Sequence, residues 1–188
     1  MPEPIINPLL MTPLNTVLLV IDMQEKLVPL VDSSEKVLWN VRRLIDGAGI
    51  LGVPALGTEQ YRKGLGATVA PLAEKLGEMP DKLHFSACDA VASQLQQLER
   101  PKVLICGIEA HVCVQQTALD LVALGYEVFL AVDAVSARFR KDKRIALRRM
   151  ESSGVTLTTV EAALFEWCRV AGTPEFKQIS QLVREEGP

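Results

Sequence analysis

From Thr16 onward the chain alternates between two apolar patterns. The first is a continuous run, seen in "TVLLVIDMQ", "GVPALGTEQ", "DKLHFSA", "KVLICGI", "YEVFLAVDA" and the short "VTLTT"; such runs mark strands covered on both faces. The second places apolar residues at helical spacing, as with Val37, Leu38, Val41, Leu44, Ile45 and Ala48 after the turn "PLVDSSEK",. Ser33 or Ser34 is the expected cap of that helix. Further helices are expected within "TVAPLAEKLGE", over "CDAVASQLQQL", from Cys113 onward, around the basic "KRIALRRM", and in the remainder of the chain.

Strands alternating with helices predict an α/β fold: a three-layer α/β/α, Rossmann-like architecture with a six-stranded, mainly parallel sheet and helices on both faces. Residues 16–188 are expected to form one domain. Residues 1–15, "MPEPIINPLLMTPLN", hold four prolines and no periodicity, and are expected to form an irregular arm over the surface. In sheets of this kind, ligands sit beyond the carboxyl ends of the strands, where the strand order reverses.

Composition narrows the function. The 188 residues are 48% hydrophobic but only 5% aromatic, so Val, Leu, Ile and Ala must fill the core. The formal charge is −3 and "RFRKDKRIALRR" is an interrupted run, the polar face of a helix, which argues against nucleic acid as a partner,. No signal peptide or long apolar span is present, and Cys88, Cys106, Cys113 and Cys168 have no paired spacing, so a reducing, cytoplasmic location without membrane contact is expected,. With two histidines in all, and no C-x-x-C, a zinc site is not expected,. "GAGILG", from Gly47 to Gly52, matches the dinucleotide fingerprint by letter. It closes a helix, however, where the fingerprint must open one, and it reads as a helix stop. No cofactor is expected.

Three reactive groups fall at strand ends: Asp22 after "VLLVI", Lys82 in "DKLHF", and Cys113 after "VLICGIEAHV". Singly, each has a plain structural reading as a turn cap, a solvated charge or a small buried hydrophobe. Together they are complementary. A helix amino terminus and a nearby ammonium both favour a thiolate, so Cys113 is expected to be largely ionised at neutral pH and to react selectively with iodoacetamide. Backbone amides of Glu109 and Cys113, at the expected start of the helix, face an oxygen that gains charge during attack, and Gly107 permits an unusual backbone there. Asp22 would move the proton and Lys82 would hold the pair in register. His111 is two residues from Cys113 and faces elsewhere on a helix. His84, on the same expected strand face as Lys82, is the rival base.

These stretches, "LLVIDMQ", "DKLHFSA" and "CGIEAHVCVQQTALDLVALGYEV", resemble the isochorismatase-like superfamily of cysteine hydrolases. "TEQYRKGLGATV" is similar to its isochorismatase domain-containing protein subgroup. The resemblance implies a catalytic triad of Asp22, Lys82 and Cys113, an oxyanion hole from the amides of Glu109 and Cys113, and a cis peptide between Ile108 and Glu109. It also implies that Gln24 and Leu27 line the substrate pocket, joined by Tyr61 from the loop "EQYRKGLG". Metal-containing nicotinamidases of the superfamily carry an Asp and histidines after the second strand, whereas this chain reads "TEQYRKG"; no metal is expected. Vinyl-ether-cleaving isochorismatases typically lack the cysteine, so its presence points to C–N hydrolysis of a small amide or carbamoyl compound. The alternatives are a non-catalytic binding or scaffold member of the fold and a vinyl-ether hydrolase. A positive mean hydropathy of +0.19 and the resemblance both imply a homo-oligomer,.

Overall fold

The computed structural model describes residues 7–188. Its centre is a six-stranded sheet of β1 (Thr16–Ile21), β2 (Ala55–Gln60), β3 (Asp81–Lys82), β4 (Lys102–Ile108), β5 (Glu127–Ser136) and β6 (Thr156–Thr158), in the order β3-β2-β1-β4-β5-β6. Each neighbouring pair is parallel, as the continuous apolar runs predict. The helices are α1 (Ser34–Leu51), α2 (Arg62–Leu65), α3 (Ala70–Leu76), α4 (Cys88–Leu98), α5 (Gln115–Ala123), α6 (Arg140–Ser152), α7 (Val160–Cys168) and α8 (Pro174–Val183).

Successive strand residues point to opposite faces, and this divides the core in two. Leu18 and Val20 of β1, with Leu104 and Cys106 of β4, meet Val41 and Leu44 of α1, Leu164 of α7 and Ile179 of α8. Val17, Leu19 and Ile21, with Val103 and Ile105, meet Val91 of α4, Leu121 of α5 and Met150 of α6. Every β1 residue is buried. Each of its large aliphatic side chains contributes about 1.5–3 kcal/mol relative to exposure.

Helix α1 forms where the apolar spacing places it and stops at Gly52, whose left-handed φ of 71° lets its N–H reach the Ala48 carbonyl,. The "GAGILG" stretch is therefore the end of a helix. Ser33 precedes α1 in a left-handed conformation, but its hydroxyl donates to the Asp32 carboxylate and caps nothing. Two expected elements differ in extent. β3 pairs only Asp81 and Lys82 with Glu59 and Gln60, because β2 ends there and Leu83 and Phe85 turn to solvent. A π-helical turn over Ala110–Val114 precedes α5, so the helix starts before Cys113 rather than at it.

Residues 1–6 of the expected arm lie outside the described residues. Residues 7–15 run without a helix or strand, with Leu9 and Leu14 exposed, and are anchored at Met11, which is fully buried in the α1-side core and whose N–H donates to the Glu166 carboxylate at 2.9 Å. Among the described residues no helix is long and apolar enough to cross a membrane.

The chain leaves β1 toward β2 on one side, while β4 pairs with β1 on the other. The strand order reverses between β1 and β4, and their carboxyl ends are where sheets of this kind place their ligands,. β4 approaches β1 so closely at Gly107 that a Cβ there would stand 2.1 Å from the Ile21 carbonyl oxygen. Its φ of 113° excludes ordinary side chains as well,.

Candidate active site

Asp22 follows β1 directly, with a positive φ of 50° that turns it out of the strand. Its N–H donates to the Thr58 carbonyl at 3.2 Å. Oδ1 accepts from the Thr58 hydroxyl at 2.8 Å and Oδ2 from Lys82 Nζ at 2.8 Å. Lys82, the last residue of β3, spans β2 to make this contact, and the two side chains are 4% and 0% accessible. Nζ also lies 2.6 Å from Gln60 Oε1, 2.9 Å from the Phe85 carbonyl and 3.4 Å from that of His84. An ammonium has three N–H groups, so the longest of these contacts shares a donor and none is left over.

Cys113 lies in the π-helical turn, buried, with Sγ 3.8 Å from Gln60 Oε1. Asp22, Lys82 and Cys113 thus converge from three segments, and Gln60 touches both the amine and the thiol. The expectation of a resting thiolate does not hold. Burial, reinforced by the charge of Asp22 and only partly opposed by Lys82, pushes the thiol up to about 12. Cys113 is also the fourth residue of a helical segment that opens at Ala110, past the positions where the amino-terminal dipole is strongest,. Burial therefore favours the protonated thiol at rest, beside the Asp22 side chain.

Glu109 sits between β4 and the helical turn, and the Ile108–Glu109 peptide is cis. Its carboxylate accepts from Arg138 N and Nε at 3.3 and 3.1 Å, which ties the turn to the segment after β5.

The expected pocket residues separate. Gln24 is fully buried and is a bracket: Nε2 donates to the Gln60 and Gly66 carbonyls at 3.0 and 2.7 Å, and Oε1 accepts from Gln60 N at 2.7 Å. With its polar groups committed to β2 and the following loop, it does not line a pocket. Leu27 packs at the edge of the α1-side core. Tyr61 is half exposed on the rim, and its N–H holds the Lys82 carbonyl at 2.9 Å. His84 is not on a strand face with Lys82. Its side chain is 82% accessible and lies 3.3 Å from Asp89, so it is unsuited to the base role. His111 shares the π-helical turn with Cys113.

Sequence reasoning missed Thr58 and Gln60. Both lie on one face of β2, two residues apart, and polar residues at the carboxyl end of a buried strand were the available signal,. Among the described residues no group of three His, Cys, Asp or Glu side chains is placed to hold a metal ion.

The family model for the isochorismatase domain matches residues 16–162. This chain belongs to the isochorismatase family. Isochorismatase domain-containing protein 2 of Danio rerio is 41% identical over 175 residues, 92% of this chain and 89% of that protein. The secreted isochorismatase effector Isc1 of Phytophthora sojae is 38% identical over 181 residues, covering 92% and 86% of the two chains. Among solved structures, the MAR1 ribonuclease of Caenorhabditis elegans superposes with a TM-score of 0.89 at 40% identity, covering 95% of this chain and 94% of that one. Isochorismatase-family proteins are hydrolases, and the six-stranded parallel sheet with helices around it is their fold.

Proposed function

We propose that this isochorismatase-family protein is a cysteine hydrolase that cleaves a C–N bond of a small amide or carbamoyl compound through a thioester. The observation that carries this reading is the sealed cluster in which Lys82 bonds Asp22 at 2.8 Å while Gln60 bridges the ammonium and the Cys113 thiol. A thiol protonated at rest needs a base, and Asp22 is the carboxylate beside it. As sulfur attacks the carbonyl carbon, Asp22 takes the thiol proton, and the backbone amides of Glu109 and Cys113 stabilise the oxyanion. Collapse breaks the C–N bond and Asp22 returns the proton to the departing amine. Asp22 then deprotonates a water that attacks the thioester; the acid leaves and the thiol is regenerated. Lys82 holds Asp22 in place through the 2.8 Å contact. No metal has a role in these steps, and "TEQYRKG", from the end of β2 into the following loop, offers no histidine to hold one.

A second reading is supported by the name of the Phytophthora sojae relative: vinyl-ether hydrolysis at the same site, which needs an acid and no sulfur nucleophile. The ribonuclease named among the relatives is less well served here, because the Lys82 donors are committed and the formal charge is −3,. A panel of small amides and carbamoyl compounds, assayed with the parent chain and Cys113→Ala, separates the readings. Turnover by the parent, loss in the variant and an acyl adduct on the Cys113 peptide are expected. A fully active Cys113→Ala protein would refute the thioester and leave vinyl-ether cleavage. Absence of turnover and adduct alike would favour binding without catalysis. The same proposal has the protein as a homo-oligomer, supported by exposed Leu83, Phe85, Leu124 and Phe139, and light scattering at the 20.6 kDa of one chain would end that part of it.

A further inference from the structure

We infer that Gln60 is a positioning residue of this site: its carboxamide oxygen, pinned by Lys82, holds the Cys113 thiol in its protonated resting orientation. The inference rests on Cys113 being the nucleophile proposed above.

The strand end that carries Gln60 is fixed from both sides by Gln24, which accepts from its N–H at 2.7 Å and donates to its carbonyl at 3.0 Å. The carboxamide has one permitted orientation. Nε2 donates to the Leu83 carbonyl at 2.9 Å and Oε1 accepts from Lys82 Nζ at 2.6 Å. A flipped amide would set its NH2 against the ammonium and its oxygen against a carbonyl, losing both bonds. The oxygen is therefore what faces Sγ, at 3.8 Å, and toward it a thiol can only donate. A hydrogen bond made by the neutral form favours the neutral form.

The charged groups acting on the thiol are Asp22, from the end of β1, and Lys82, from the end of β3, and they oppose one another. Gln60 Oε1 contacts both the ammonium and the thiol, so an acceptor that favours the protonated sulfur stands beside the one cation that would ionise it. Attack then has to wait for proton transfer to Asp22, which protects the thiol from adventitious electrophiles.

The test is the pH profile of Cys113 alkylation by iodoacetamide, followed by peptide mass spectrometry. Gln60→Met keeps side-chain length without an acceptor; at a fixed pH below the thiol's pKa it should alkylate Cys113 about tenfold faster, the equivalent of one hydrogen bond to the protonated form. Gln60→Glu adds a second carboxylate and should slow it by roughly the same factor. Cys88 and Cys106 report on loosening of the fold, and their rates should not change. Unshifted Cys113 profiles in both variants, or a parallel rise at Cys88 and Cys106, overturn the inference. Asp22→Asn keeps the two readings distinct: a Cys113 profile indifferent to that substitution would remove the acid–thiol coupling of the proposed function, whatever Gln60 does.

Discussion

Replacing Lys82 with Met should unfold the site from its charges outward. The substitution keeps most of the side-chain volume but leaves Asp22, with no accessible surface, without the ammonium 2.8 Å away. Removing one partner of a buried ion pair costs about 3–5 kcal/mol, because the other charge stays buried and uncompensated. Asp22 retains the Thr58 hydroxyl at 2.8 Å, which places the expected loss near the lower end, at about 3 kcal/mol,. That is a factor of roughly 150 in the folding equilibrium and a melting shift of about 6–12 °C for a chain of this size. Asp22→Asn should cost less, about 2 kcal/mol, since the ammonium keeps Gln60 and the Phe85 carbonyl as acceptors,. The double variant carries neither charge, so its loss should fall short of the sum of the singles by about 2 kcal/mol. Urea unfolding of the four proteins at neutral pH, with equal denaturant slopes, measures all of this. A Lys82→Met loss under about 1 kcal/mol, or singles that simply add, would show that the pair is not the buried, coupled unit described above.

Gly107→Ala should be costly, since its Cβ would stand 2.1 Å from a backbone oxygen of β1 at a φ of 113°; urea titration should show a loss of about 3 kcal/mol or more, and a loss within about 0.5 kcal/mol would mean that β1 and β4 can part freely,. Alkali should also weaken the fold. Cys113 is pushed from an ordinary 9.0 up to about 12, and Cys106 and Cys88 are raised in the same direction by burial, so the unfolded chain releases these protons first. Their stabilisation is whole below the ordinary thiol value and is lost as pH rises toward the folded values, at about 1.4 kcal/mol per pH unit for each thiol. Urea midpoints measured from about pH 8 to 11 should fall, and fall less steeply in Cys113→Ala; a flat midpoint in the parent would refute the assignment.

The strand and helix alternation was legible because a parallel strand buried on both faces must be apolar throughout, as in "TVLLVI" and "KVLICGI",. β3 was not, because its length is set by where β2 runs out, and Leu83 and Phe85 carry the letters of a strand with no partner beside them. The convergence of Asp22, Lys82 and Cys113 could be read from their places at strand ends. The state of the thiol could not. Residue order conveys which groups meet but not how much water is excluded from them, and here exclusion of water outweighs the nearby ammonium,. Gln24 was misplaced for a related reason: a glutamine after a strand looks the same whether its amide faces a ligand or stitches two backbones together.

The saturated ammonium of Lys82 ties two properties of the molecule together. The cation beside Asp22 also fastens the Phe85 and His84 carbonyls, so exchanging that counter-ion would release the backbone after β3 in the same step. The side chains of Leu83 and Phe85 face outward and carry no part of this load, so they can be exchanged without touching the ion pair.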